Sequence, residues 1–286
     1  MFAWGLSWPS GKVLSAYGSP VSIAFLRYVV IFFSSLLLML ILKKDLRVKK
    51  SGLKYLLPAG LLLASYNYVF ISGLKVGFAN AGGVLVTTLN PIFAYSIGLG
   101  LAKRWPIKNE TIGLLLGLIA GAFQLNIWTR LDNIFLYGNM FFLIGALIWA
   151  IMSKFTSKAA NYGSSLAFSL WMYLVALIGF FIMVDLAEIK EIISSGDLKF
   201  WLNMLYFGFI ATTVATSFYF YATTRMGAER ASSFIFLVPL SAALSSAFFL
   251  GETIQIYTIF GGVLGILAVF IINYRKTKKT INPDKN

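Results

Sequence analysis

Ten stretches of this chain are apolar over nearly the length a helix needs to cross a lipid bilayer, and no other feature narrows the fold as far. A spanning helix takes about 20 predominantly apolar residues. Residues 2–17, 21–42, 55–74, 79–102, 111–128, 134–154, 164–185, 200–224, 231–251 and 256–274 come close to that mark. Lipid offers no water to backbone N–H and C=O groups, so each stretch must close its hydrogen bonds internally, as a helix. The expected fold is all-α: a polytopic membrane protein with ten transmembrane helices. Composition agrees, since 59% of the 286 residues are hydrophobic and 12% charged, against about 25% charged in a soluble domain. A water-soluble fold of this composition would expose large apolar patches. The linkers are too short for a separate soluble domain. In the linker 186–199, Leu186, Ile189, Ile192 and Ile193 recur at helical spacing, which predicts a short surface helix. The first stretch holds Pro9 and Lys12 and no cleavage-site pattern, so it reads as a span rather than a leader. It is short: either its helix begins at the membrane face or the start of the chain is slightly truncated.

The sequence also repeats itself. Gly73-Leu74-Lys75-Val76-Gly77 precedes a stretch with Pro91, then Gly113 and Gly117; Thr223-Thr224-Arg225-Met226-Gly227 precedes one with Pro239, then Gly261 and Gly265. In both copies 22 residues separate the proline from the first glycine. Trp4-Gly5 and Trp149-Ala150 open the two copies. The chain divides into five-helix halves, residues 1–128 and 134–274, followed by a basic tail at 275–286. Five is odd, so equivalent helices cross the membrane in opposite directions, as inverted repeats with the site between them. Charge sets the orientation. With the N-terminus cytoplasmic, six of the 24 lysines and arginines fall on the far side: Lys12, Arg27, Lys75, Arg130, Lys190 and Lys199. Cations gather on the cytoplasmic side, so both termini are expected there.

What the chain lacks excludes whole classes of chemistry. Cysteine and histidine are absent, which removes disulfides, thiol chemistry, the commonest metal ligand and the commonest general base. No metal, cofactor or catalytic residue is expected. There is no G-x-x-x-x-G-K-[ST] loop for ATP. The net charge of +14 is accounted for by a basic rim beside anionic lipid, and no folded basic domain exists to carry nucleic acid. The ten acidic residues, Asp45, Glu110, Asp132, Asp185, Glu188, Glu191, Asp197, Glu229, Glu252 and Asp284, sit in loops, at segment ends or in the tail. Exchange of protons for cationic solutes wants a buried carboxylate, and none is placed for it. An intramembrane enzyme would need paired buried acids; the depth of Asp132 and Asp185 decides that alternative.

These residues, in this order and spacing, resemble the EamA-type branch of the drug/metabolite transporter superfamily in its ten-helix form. The resemblance covers nearly the whole chain. It rests on Trp4-Gly5 with Lys12, on Pro20-Val21-Ser22-Ile23-Ala24-Phe25-Leu26-Arg27, on the Pro91 and Pro239 helices, on Leu250-Gly251-Glu252, and on Gly261-Gly262-Val263-Leu264-Gly265. One departure is Arg104, where the family often has a glutamate like Glu252; a topological role for that glutamate is favoured. The resemblance implies transport of small metabolites through a central cavity between the repeats, in a bacterial inner membrane.

Polar groups within lipid must find partners, so each is a candidate for that cavity. Ser7 and Trp8 precede Lys12 by five and four residues, which puts them on one helical face. Lys12 either meets an anionic or zwitterionic solute or snorkels to headgroups. Arg27, a turn or two into the second helix near the outer surface, reads as an interfacial anchor or structural pair ahead of a carboxylate binder. Asn67, between Tyr66 and Tyr68, and Ser217 with Tyr221 in the eighth helix, either bond a neighbouring helix or face the cavity. Asn90 precedes Pro91, whose missing N–H kinks its helix; Pro239 repeats the kink, and the pair shapes a cavity or acts as hinges. Trp8, Trp149, Tyr173 and Tyr219 are the aromatics singled out for the cavity. The substrate-binding candidates are thus Ser7, Trp8, Lys12, Asn67, Tyr68, Asn90, Trp149, Tyr173, Ser217 and Tyr221. Gly113, Gly117 and Gly121, like Gly261 and Gly265, form four-spaced stripes that permit close helix packing, within the chain or in a homodimer. The expected function is secondary export of amino-acid-like or other neutral, zwitterionic or anionic solutes by alternating access. The alternative is a non-transporting or lipid-handling membrane protein.

Overall fold

A computed structural model describes residues 1–77, 79–125, 127, 137–242, 244 and 256–274. They form an all-α, polytopic membrane bundle. Its helices are α1 (Phe2–Leu14), α2 (Pro20–Ile41), α3 (Leu53–Val76), α4 (Ala79–Leu101), α5 (Lys108–Leu125), α6 (Tyr137–Thr156), α7 (Ser165–Met183), α8 (Leu186–Ser195), α9 (Leu198–Leu205), α10 (Ser217–Met226), α11 (Ala228–Ser233) and α12 (Ile256–Asn273). Among the described residues seven helical stretches are long and apolar enough to span a membrane: Pro20–Ile41, Lys50–Val76, Gly82–Leu101, Gly138–Asn161, Ser165–Met183, Leu198–Met226 and Ile256–Asn273. The expected first and fifth spans do not reach this length and hydropathy. Helix α1 has 13 residues, about 20 Å at 1.5 Å per residue, and α5 opens on Lys108 and Glu110. The expected ninth span is helical at 228–242 but otherwise lies outside the described residues, with Glu252, Asp132 and the tail 275–286.

Local chemistry sets the helix starts. Ser19 caps α2 by accepting from the Ser22 N–H, with Pro20 at the first helical position. Ser164, Asp185 and Asp197 cap α7, α8 and α9 in the same way. Each supplies an acceptor to an N–H that the helix cannot satisfy. The eighth span is one continuous rod in which α9 passes through a π-helical segment, Tyr206–Thr216, into α10. The Thr212 and Thr216 hydroxyls donate five residues back, to the Phe207 and Ala211 carbonyls, each at 3.0 Å. The surface helix expected from the spacing of Leu186, Ile189 and Ile192 is α8, with Ile189 and Ile192 buried.

The most extensive packing joins α5 to α12, α3 to α6 and α7, α4 to α6 and α2 to α7; equivalent spans of the two parts also touch. Trp4 of α1 stands edge-on to Trp149 of α6, ring centroids 5.4 Å apart. Tyr28 of α2 packs on Phe180 of α7 at 5.5 Å, and Phe70 of α3 on Phe207 of the π segment at 5.8 Å. Tyr95 of α4 shares a core cluster with Phe236. Helices α5 and α12 pack through their glycine stripes: a Cβ on Gly261 would stand 2.8 Å from the Ala120 carbonyl oxygen, and Gly113 faces Ala268 and Ile272. Gly117 meets the Phe236 ring and Gly265 the Phe236 carbonyl. Close approach here leaves no room for a side chain, which accounts for glycine at these positions.

Candidate functional site

At the centre of the bundle these contacts leave a cavity. Its unfilled space is about 540 Å³, of which about 60 Å³ admits the centre of a water-sized sphere. A single water needs about 10–15 Å³ by that measure, so the space holds several waters or one compact solute. The walls are Trp4, Ser7 and Trp8 from α1, Arg27 from α2, Tyr66 and Phe70 from α3, Val86, Thr87 and Asn90 from α4, and Trp149 from α6; the second half adds Phe207, Ala211, Thr212, Thr216, Ile235 and Val238. Both halves of the chain contribute to it.

Arg27 dominates the electrostatics. It is 5% exposed, its guanidinium carbon lies 3.5 Å above the Phe207 ring centroid, and its two terminal nitrogens donate to Asn67 Oδ1 (2.5 Å) and Thr212 Oγ1 (2.7 Å). Neither partner is charged. Among the described residues the ion pairs are Arg104–Glu110 and Lys154–Glu229, so no carboxylate opposes Arg27. A guanidinium does not shed its proton at any physiological pH. A buried, permanent cation without a counter-ion is costly.

Three buried side-chain atoms lack a hydrogen-bond partner among the described residues: Arg27 Nε, Asn90 Oδ1 and Trp149 Nε1. All three residues line this one cavity. The Asn90 amide nitrogen is engaged with the Ala146 carbonyl at 3.2 Å, which leaves its oxygen as a free acceptor. Each orphan costs about 1–3 kcal/mol when water is excluded. Two donors and one acceptor thus belong to residues that surround one small space.

Two prolines stand one turn beyond residues of the wall. Pro91 lies within α4 and has no N–H, so the Thr87 carbonyl loses its helical partner, and Thr87 lines the cavity. Pro239 stands in the same relation to Ile235, also a wall residue. There the chain tightens into a 3₁₀ turn, Phe234–Leu237, and the Val238 N–H takes the Ile235 carbonyl instead.

Of the sequence-derived candidates, Ser7, Trp8, Asn90 and Trp149 line the cavity together. Asn67 stands behind the wall, holding Arg27 while its amide donates to the Tyr28 hydroxyl (2.6 Å) and the Leu63 carbonyl (2.8 Å). Tyr173 and Ser217 bond each other at 3.0 Å, buried beside the cavity and outside its lining. Lys12 turns away from it: its ammonium donates to the Leu74 and Gly77 carbonyls and caps the end of α3. Tyr68 and Tyr221 are 41% and 44% exposed and face outward. Of the residues left off the candidate set, Arg27 matters most. The sequence reads it as an interfacial anchor or a structural pair near the outer surface; the structure buries it and pairs it with Asn67 and Thr212. Trp4, Tyr66, Thr87, Thr212 and Thr216 are also wall residues. The signal for Arg27 was present, since arginine two turns inside an apolar span has to find partners. Among the described residues no group of three or more acidic residues could hold a metal, and Asp185 is spent capping α8.

Compared with known proteins, the chain is similar to an uncharacterized transporter, YoaV, of Bacillus subtilis (strain 168), 25% identical over 97% of this chain and 95% of the relative. It is likewise 25% identical to an uncharacterized transporter of Clostridium kluyveri, over 94% and 89% of the two chains. It is 22% identical to one of Archaeoglobus fulgidus over 94% of both chains. A solved crystal structure shares the fold at TM-score 0.72 and 14% identity, covering 95% of this chain and 94% of its own. The model of the EamA-like transporter family matches residues 1–125 and again residues 136–274. A polytopic helical bundle with that double match over nearly its whole length is a member of the EamA-like transporter family.

Proposed function

We propose that the protein is a secondary exporter of small solutes that carry a carboxylate, amino acids foremost, working by alternating access around the Arg27 cavity. The carrying observation is that Arg27, a buried cation without a counter-ion among the described residues, lines one central space together with Asn90 and Trp149. Ser7, Trp8, Asn90 and Trp149 are the substrate contacts of this reading, with Arg27 as the carboxylate group's partner and Asn67 as its support. Pro91 and Pro239 supply the kinks. Membership in the transporter family supports a membrane carrier. The double family match and the contacts between equivalent spans support inverted repeats. The basic loops support a cytoplasmic placement of both termini in a prokaryotic plasma membrane. The mutual burial of the two glycine stripes favours packing within one chain over a homodimer seam.

Reconstitution tests this. Proteoliposomes loaded with an amino acid should exchange it for labelled carboxylate-bearing solutes without ATP, and should discriminate against cationic amines. Arg27→Gln should lower that exchange at least about tenfold, the equivalent of one lost charged contact of roughly 1.4 kcal/mol. Equal exchange of cations and anions, or full activity of the variant, would remove the cavity from the mechanism.

A further inference from the structure

A second concavity lies on the outer surface, at the membrane edge of the face that carries the α2–α3 and α6–α7 loops. It is an open groove of about 820 Å³. Its floor is apolar: Leu53, Leu56 and Leu57 from α3, and Leu174, Val175 and Ile178 from α7. Leu53, Leu57 and Ile178 are 43%, 47% and 50% exposed. Its loop end has Arg47, Lys49 and one acid, Asp45, in the wall, a net positive set.

The basic end is held in place. Val48 and Gly163 form an isolated antiparallel bridge, and the Lys49 N–H donates to the Tyr162 carbonyl at 2.8 Å. Val48 packs against the core, and Arg47, Val48 and Lys49 all line the groove. Trp171 fixes the boundary, its indole N–H donating to the Leu46 carbonyl at 2.7 Å while the ring lines the groove. Such a ring belongs at the level of lipid headgroups. Asp45 accepts from the Arg47 N–H at 2.9 Å and turns the loop.

We infer that this groove is a binding site for an anionic phospholipid. An acyl chain lies between α3 and α7 on Leu57, Leu174 and Ile178, and the headgroup phosphate is held between Arg47 and Lys49. Charge selects the occupant: Arg47 and Lys49 outnumber Asp45 in the lining, and lysines 43, 44, 50 and 54 flank them in the sequence, so a zwitterionic headgroup gains less there than an anionic one. The proposal is independent of what the central cavity carries.

The test uses the purified full-length chain in detergent, with phosphatidylglycerol, phosphatidylcholine and inorganic phosphate as probes. Thermal midpoint and lipid retained in native mass spectrometry are the readouts. Phosphatidylglycerol should raise the midpoint and stay bound; the other two should not. Arg47→Gln with Lys49→Gln should weaken phosphatidylglycerol about tenfold. Lys103→Gln with Lys108→Gln removes the same charge from another loop and should leave retention intact. Ile178→Trp keeps both cations and fills the groove, and it should also expel the lipid. Equal retention of phosphatidylcholine, equal protection by phosphate, equal loss in both double variants, or full retention in Ile178→Trp would each overturn the proposal.

Discussion

Arg27 is held by an amide, a hydroxyl and an aromatic ring, and by no acid. That choice of partners keeps its charge available. Asn67→Asp tests the point with one oxygen-for-nitrogen exchange: a carboxylate beside the guanidinium would form an ion pair in place of the solute. Exchange of carboxylate solutes should fall more than about tenfold while the thermal midpoint holds or rises; unaltered exchange would mean that Arg27 serves the fold alone. Why did the sequence leave the partners of Arg27 open? Sequence gives its depth to within a turn, but its partners come from α3 and the π segment, 40 and 185 positions away. Asn90 and Trp149 were legible because an amide beside a proline and a tryptophan echoing Trp4 stand out in an apolar stretch. Thr212 and Thr216 did not stand out. Threonines in spans usually bond their own backbone, and these do so as well.

At the scale of elements, α8 is more than a cover. Glu188 accepts from the Ser19 N–H and from the Ser19 and Ser22 hydroxyls, at 2.5–2.6 Å, so one carboxylate from the second half caps the start of α2 in the first. Burial works against its ionisation, but the serine hydrogen bonds outweigh it and hold the carboxyl below the ordinary range. A depressed value means that the charged contact is in place above about pH 4.5 and is lost as pH falls below that range. Glu188→Gln should loosen the α2 start at neutral pH, by about 1 kcal/mol in this half-exposed setting, and should abolish the acid dependence. Hydrogen exchange of residues 19–24 would register both effects, and identical pH profiles in the two proteins would refute the link. Most helix bounds were readable because Ser19-Pro20, Ser164 and Asp197 are cap chemistry written in the sequence. The π segment was not, since nothing in a run of Gly, Ala and Thr states whether hydrogen bonds close over four residues or five.

For the molecule as a whole, duplication and charge carried the reading. The glycine and proline spacings survived in both copies, so two-fold organisation could be seen without coordinates. Which helices would touch could not, because packing between helices far apart in the chain leaves no local trace. With no cysteine in 286 residues, a single introduced thiol reports without background. Lys43→Cys and Lys190→Cys should react with a membrane-impermeant maleimide from opposite sides of sealed vesicles; labelling from the same side would overturn the proposed topology. The strand bridge between Val48 and Gly163 bears on movement too, because it ties a loop of the first half to a loop of the second. Two bodies fastened near one edge swing about the fastening, and displacement grows with distance from it. In the alternating access proposed above, the Val48 edge would be the fulcrum, with the widest travel on that face at the rim farthest from it.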